Sequence, residues 1–196
     1  MLAIFVLGCL NPWVNAQDNG DNGDDGQVQK LYQQFEMQNA KRQFEQANAT
    51  LAKALELKDI ATLHYLRGRV RFRLGEFDAS VKSFDAYVKA MPKAESRQWE
   101  RGISMYYAEQ YKRGAEQFEL YQTYHDQDVE NSVWRFLCMV PETGVKKARA
   151  VMLPIENDRR IPMMKVFEMY KMKFQQVASI LVFQFLVSQE FSMRTN

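Results

Sequence analysis

The residues that most often build an active site or a metal centre are scarce in this chain of 196 amino acids: two histidines and two cysteines. His64 and His125 have no nucleophile or ligand partner at a meaningful spacing. Neither a phosphate-cradling glycine loop, nor a nucleophile elbow, nor a paired-carboxylate signature occurs. No catalytic residue, cofactor or metal is therefore expected. Three arginines, Arg67, Arg101 and Arg135, recur every 34 residues. They form either an anion-binding ladder or, as preferred here, a structural ladder in which each guanidinium meets a carboxylate or carbonyl of a neighbouring helix. Asn48-Ala49-Thr50 is an acceptor sequon for N-glycosylation that would matter only in a eukaryotic source, and it falls inside an expected helix.

The elements that carry these residues are helical by composition. The chain is 46% apolar and 26% charged, with only 9 glycines and 5 prolines, a balance that favours helices over sheets. Its formal charge is +2, and the charges are interspersed without the basic run that tracks a phosphate backbone, which argues against a nucleic-acid partner.

Residues 1–16 read as an export signal. Leu2 to Leu10 is an apolar core, and Val14-Asn15-Ala16 suits signal-peptidase cleavage before Gln17, although no Lys or Arg precedes the core. Val6-Leu7-Gly8-Cys9 also has the look of a lipobox, so a membrane attachment is expected only if Cys9 carries lipid. The run is too short for a transmembrane helix, which needs roughly 20 residues. Residues 17–26 contain only Gln, Asp, Asn and Gly and read as a disordered tether. Removal of the signal leaves Cys138 as a lone thiol, read as buried packing rather than chemistry.

Self-similarity organises the rest. A shift of 34 residues aligns Tyr65 with Trp99, Arg67 with Arg101, Gly68 with Gly102, and Phe72 with Tyr106, without a gap. It also aligns Phe77 with Tyr111, Phe84 with Phe118, and Tyr87 with Tyr121. A second shift carries Arg101 to Arg135 and Ser104 to Cys138, after which the match fades. This period is that of a helix-turn-helix unit. Leu66 to Gly75 reads as a first helix ending at its glycine turn, Phe77 to Phe84 opens a second, and Pro92 closes the unit. Gly68 permits close helix approach, Gly75 takes the left-handed turn, and Phe84 fills the space between the pair.

These residues resemble the tetratricopeptide repeat. His64, Arg67, Arg71 and Ser80 depart from its usual residues, and the second unit has Glu109 for the turn glycine and Asp126 for the closing proline. In addition, Arg101-Gly102-Ile103-Ser104-Met105-Tyr106-Tyr107, followed by Asp126 to Leu137, is similar to small bacterial envelope lipoproteins of the NlpI type. That resemblance implies a scaffold for envelope enzymes, often dimeric, with no activity of its own.

The expected fold is all-α: an α-solenoid of antiparallel helix pairs with two well-formed and about two degenerate repeats, closed by a C-terminal capping helix. The solenoid covers 27–172. Val28 to Lys41 and Phe44 to Leu57 form the first pair, and the well-formed units run over 61–94 and 95–128. A shorter pair, Glu130 to Val140 and Gly144 to Leu153, is broken by Pro141-Glu142-Thr143. Pro154 and Pro162 frame a loop before a helix from Met163 to Lys173. Residues 173–196 hold the apolar stretch Val177 to Val187, a sealing helix or a dimer contact.

The family's groove positions map to Tyr65, Arg69, Phe72 and Arg73, then to Trp99, Ile103, Tyr106 and Tyr107, and then to Val133 and Leu137. The Lys and Asn set that clamps a terminal carboxylate in chaperone-binding members is missing. An aromatic floor with arginines at one end suits a protein or peptide ligand bearing apolar anchors and some negative charge. Part of the stripe is alternatively covered by the N-terminal pair or the C-terminal helix. The expected role is an adaptor or scaffold exported to a periplasm, cell envelope or secretory route. The alternatives are a structural subunit, such as a homodimer, whose aromatic stripe is a self-contact, and a regulatory partner of a separate enzyme. A full-length protein with a C-terminal reporter is expected to leave the cytoplasm and lose residues 1–16, whereas one starting at Gln17 stays inside. Recovery of the intact N-terminus from mature protein would overturn the signal reading.

Overall fold

Ten helices and no strand occur among the residues that the computed structural model describes, 22–172, and helix accounts for 77% of them. The expected signal segment and the apolar stretch Val177 to Val187 lie outside the described residues. The chain divides into two compact units, Met1–Ala90 and Met91–Asn196.

In the first unit, α1 (Asn22–Ala40) pairs with α2 (Phe44–Leu57), and α3 (Ala61–Arg73) pairs with α4 (Phe77–Ala90). Val28 and Phe35 of α1, Ala47, Leu51 and Ala54 of α2, and Leu63 and Val70 of α3 form its core. In the second unit a 3-10 turn, Pro92–Arg97, leads into α5 (Trp99–Tyr107), α6 (Tyr111–Gln122), α7 (Val129–Thr143), α8 (Val145–Ala150) and α9 (Met163–Lys171). Val129, Phe136, Ala148, Met152, Ile155 and Phe167 are buried together at its C-terminal end.

One device makes the turns. Each of the first three pairs reverses at a single left-handed residue: Arg42 at φ 58°, Gly75 at φ 76° and Glu109 at φ 57°. The amide after each donates back five residues, Gln43 N–H to Gln38 O at 2.9 Å, Glu76 N–H to Arg71 O at 2.9 Å, and Gln110 N–H to Met105 O at 2.8 Å. This is the Schellman arrangement, which satisfies carbonyls left over at a helix end. The next residue, Phe44, Phe77 or Tyr111, opens the second helix. Phe77 packs on Phe72 with ring centroids 5.4 Å apart, and Tyr111 packs on Tyr106 at 5.8 Å. Fourth in the series, Gly144 (φ 79°) uses a different bond, from its amide to Val140 O at 2.9 Å.

Between paired helices a phenyl ring lies against a bare glycine. A Cβ on Gly68 would come within 3.0 Å of the Phe84 ring, and one on Gly102 within 2.7 Å of Phe118. The expected repeat logic therefore holds in three dimensions. Ser80 adds a bond from its hydroxyl to Gly68 O at 2.8 Å.

Four boundaries differ from the sequence expectation. α1 begins at Asn22, so the end of the stretch expected to be a tether is helical. Asp24 and Asp25 lie in its first turn, where the helix dipole favours them, and Asp25 binds Lys58 Nζ at 2.7 Å. The second well-formed unit was expected from residue 95, but Pro92 starts the 3-10 turn and α5 has only 9 residues. Pro141 does not break α7, which runs on to Thr143. It sits in the last turn, and its missing amide removes one bond there. α8 stops at Ala150, short of Leu153. The sequon lies within α2, with Asn48 Oδ1 accepting from Arg67 Nε at 3.1 Å and Thr50 buried.

A left-handed backbone costs a residue with a Cβ about 1–2 kcal/mol that glycine avoids. Glu109→Gly should therefore raise stability by about 1 kcal/mol, read as the denaturation midpoint, while Gly75→Ala lowers it. An unchanged or lower midpoint for Glu109→Gly would show that the turn is unstrained.

Candidate protein-binding face

In the first unit the four expected groove residues stand on α3, and most are engaged by their own unit. Tyr65 packs against Phe84 at 5.8 Å and Tyr87 at 5.3 Å. Phe72 braces the turn through Phe77. Arg73 donates to Asn39 Oδ1 at 2.9 Å and lies over the Phe44 ring at 5.3 Å. Arg69 is exposed, with its guanidinium carbon 5.8 Å from the Tyr65 ring centroid.

In the second unit the same repeat positions are more open. Trp99 occupies the position of Tyr65, yet it is the first residue of α5 and remains 48% exposed. Tyr107 is 46% exposed. Behind it Tyr106 is half-buried within an aromatic cluster: Tyr107 at 5.4 Å, Tyr111 at 5.8 Å and Trp134 at 5.5 Å. Trp134 also stacks on Phe118, 6.4 Å away with 15° between the planes. Ile103 is half-buried on α5. Val133 and Leu137, on α7, pack instead on the core shared with α8 and α9.

Trp134 was absent from the sequence-derived set. It aligns with Leu66 and Glu100 in the 34-residue register, outside the positions that the family uses for its groove. Its strongest signal was simply a tryptophan on an amphipathic helix one repeat after Glu100.

α7 carries that ring, and its N-terminus is clamped. Asp128 caps it by accepting from Glu130 N–H at 3.0 Å. Asp158, from the loop between α8 and α9, is buried and accepts from Val129 N–H at 3.1 Å. Arg160 reaches Asp158 Oδ2 and Asp128 Oδ1 at 2.6 Å each and Glu130 Oε2 at 2.7 Å. Gln127 Oε1 accepts from the amides of Glu156 and Asn157, both at 2.9 Å. The hydrogen bond from Arg160 drives the Asp158 carboxyl down to about 2, against the opposing effect of burial. Burial, with Asp128 beside it, pushes the Tyr121 hydroxyl up to about 12.

The recurring arginines are structural in the second unit. Arg101 donates to Glu95 Oε1 at 2.9 Å and Gln117 Oε1 at 2.7 Å. Arg135 holds Glu119 through two nitrogens and donates to Val151 O at 2.6 Å. Arg67, in the first unit, reaches only the Asn48 amide among the described residues. Cys138 is fully buried, and burial pushes its thiol up to about 12.

Comparison with protein-family models finds no match, and comparison with curated proteins finds none. Among solved structures, the chain is similar to MamA 41-end from Desulfovibrio magneticus RS-1, with a TM-score of 0.56 and 19% identity over 63% of this chain and 70% of that one. It is also similar to the MamA RS-1 ArsTM double mutant, with a TM-score of 0.57 and 19% identity over 66% and 72% of the two chains. The likeness at this identity is one of fold: the chain has an all-α fold of the tetratricopeptide type.

The depressed Asp158 carboxyl sets a pH dependence. Its stabilisation is complete above its ordinary value of 3.8 and is lost as the pH falls towards about 2. Denaturation at pH 6 and pH 3 should show a loss in the native chain that Asp158→Asn largely lacks, since its own contribution, on the order of 2 kcal/mol, is already gone. Parallel pH profiles for the two proteins would remove Asp158 as the source.

Proposed function

We propose that the chain is a non-catalytic protein-interaction module that captures a peptide or helix of a partner on the aromatic face of α5 and α7. The observation that carries this reading is the exposure of Trp99 and Tyr107 at 48% and 46%, on one short helix backed by Tyr106 and Trp134. Large aromatic rings exposed on a rigid element mark interaction sites more often than chance surface. Trp99 and Tyr107 stand two turns apart, about 12 Å along the axis, close to the roughly 10.5 Å between anchors at i and i+7 of a partner helix. Helix-pair repeats also offer extended, pre-formed surfaces suited to protein ligands.

We place this work outside the cytoplasm. Leu2 to Leu10 and the Val14-Asn15-Ala16 site support export, and the similarity of residues 101–107 and 126–137 to NlpI-type envelope adaptors supports an envelope setting.

Crosslinking capture from the native compartment, followed by binding measurements on the purified partner, tests the face. Trp99→Ala and Tyr107→Ala should each weaken binding at least tenfold, the loss of somewhat over 1 kcal/mol typical of an interface anchor, and leave the melting transition in place. Tyr106→Ala, by contrast, should lower the melting point because its ring is packed on three others. Normal binding by a folded Trp99→Ala, Tyr107→Ala double variant would move the site elsewhere.

A further inference from the structure

We infer that Arg67 and Arg71 form an oxyanion site in the first unit, built for a carboxylate or phosphate group. The ladder of recurring arginines is uneven. Arg101 and Arg135 each hold a carboxylate, Glu95 and Glu119. Arg67 stands at the same repeat position but has only the neutral Asn48 Oδ1, bound through Nε at 3.1 Å. Its two terminal nitrogens make no hydrogen bond among the described residues.

A second guanidinium stands one helical turn further along α3. Arg71 donates through Nη1 to Ser83 Oγ at 2.9 Å and to Ala79 O at 3.2 Å. Its Nε is shut off from solvent and has no hydrogen-bond partner among the described residues. The carboxylate within ion-pair range is Glu76, 3.8 Å from that Nε and too far to accept from it. Glu76, and after it Glu56, also act on Arg67 at longer range, and the nearby His64 is occupied by Asp59 at 2.6 Å. Burial and the like charge of Arg71 both disfavour the charged form of Arg67.

Two partly buried guanidiniums one turn apart on a single helix, short of hydrogen-bond acceptors, are costly unless an anion joins them. The planar fork of arginine matches the two oxygens of a carboxylate or phosphate. Both side chains are half-buried, that of Arg71 at 19% exposure, so neither is sealed in the core although the Arg71 Nε itself is covered. The site consists of first-unit residues alone and does not depend on the aromatic face of α5 and α7.

Thermal melting and calorimetric titration of the whole protein with inorganic phosphate and with succinate, against chloride at equal ionic strength, read the site directly. A saturable rise of about 2–5 °C in the midpoint is expected with at least one of the two anions. A response to phosphate alone assigns a phosphate ligand, and a response to succinate assigns a carboxylate such as an acidic side chain of a partner. Arg67→Gln and Arg71→Gln should each weaken the titration at least tenfold, whereas Arg97→Gln, whose guanidinium lies over Tyr124, should not. Asn48→Asp gives Arg67 an internal carboxylate, as Glu119 does for Arg135. It should raise the midpoint in chloride and erase the anion response, and it decides the matter if the arginine variants fail to fold. No response beyond chloride, or a response that persists unchanged in Asn48→Asp, overturns the assignment.

Discussion

A phenyl ring seated on a bare glycine sets the distance between paired helices in this protein. Phe84 on Gly68 and Phe118 on Gly102 repeat the same contact, so close that an added Cβ would have no room. The contact needs both residues in one register, and the left-handed turn between the helices supplies it. In the fourth pair that contact is replaced. Phe136 stands where the earlier pairs have glycine, and Met152 stands where they have phenylalanine, both buried in one cluster. The burial is kept while the residue types change, and the periodic match fades after the second unit.

The glycine–phenylalanine pairs made the fold legible in the sequence. Side chains that fill space at fixed intervals leave a periodic trace, and so do turns that require a left-handed residue. Gly75 announced its turn; Arg42 and Glu109 did not, because their backbone is imposed by the helices on either side rather than chosen by residue type. The candidate face was only partly readable. Its spacing pointed to Trp99 and Tyr107, but position alone cannot distinguish an exposed ring from one spent on packing. Phe72 and Tyr106 both brace turns, and Tyr65 lies against Tyr87. Asp158 and Arg160 lie in a loop that follows no period, so nothing in the sequence linked them to the start of α7.

Charge is distributed with the same economy. Most buried polar groups join elements that are distant in the chain: Arg135 with Glu119 and Val151 O, Ser132 with Leu153 O at 2.8 Å, and Asn131 with Phe118 O at 3.1 Å. These bonds anchor α7 on both sides, and Asp158 with Arg160 secures its first turn. The helix that carries Trp134 is thus the most constrained in the second unit, a suitable backing for rings that stay exposed to solvent. In the first unit, arginines at 67, 69, 71 and 73 crowd one short helix.

A Cβ placed on Gly114 would meet the Cys138 sulfur at 2.8 Å. The thiol is therefore closed off by the backbone of the adjacent helix rather than by a movable side chain. On that side no rotamer change can uncover it, and α6 and α7 must separate. Cys138 is for that reason a natural clock for sub-global opening. The rate at which a thiol reagent enters, followed under native conditions, counts how often these two helices come apart, and a bound partner that holds α5 to α7 together would slow that count without touching the sulfur.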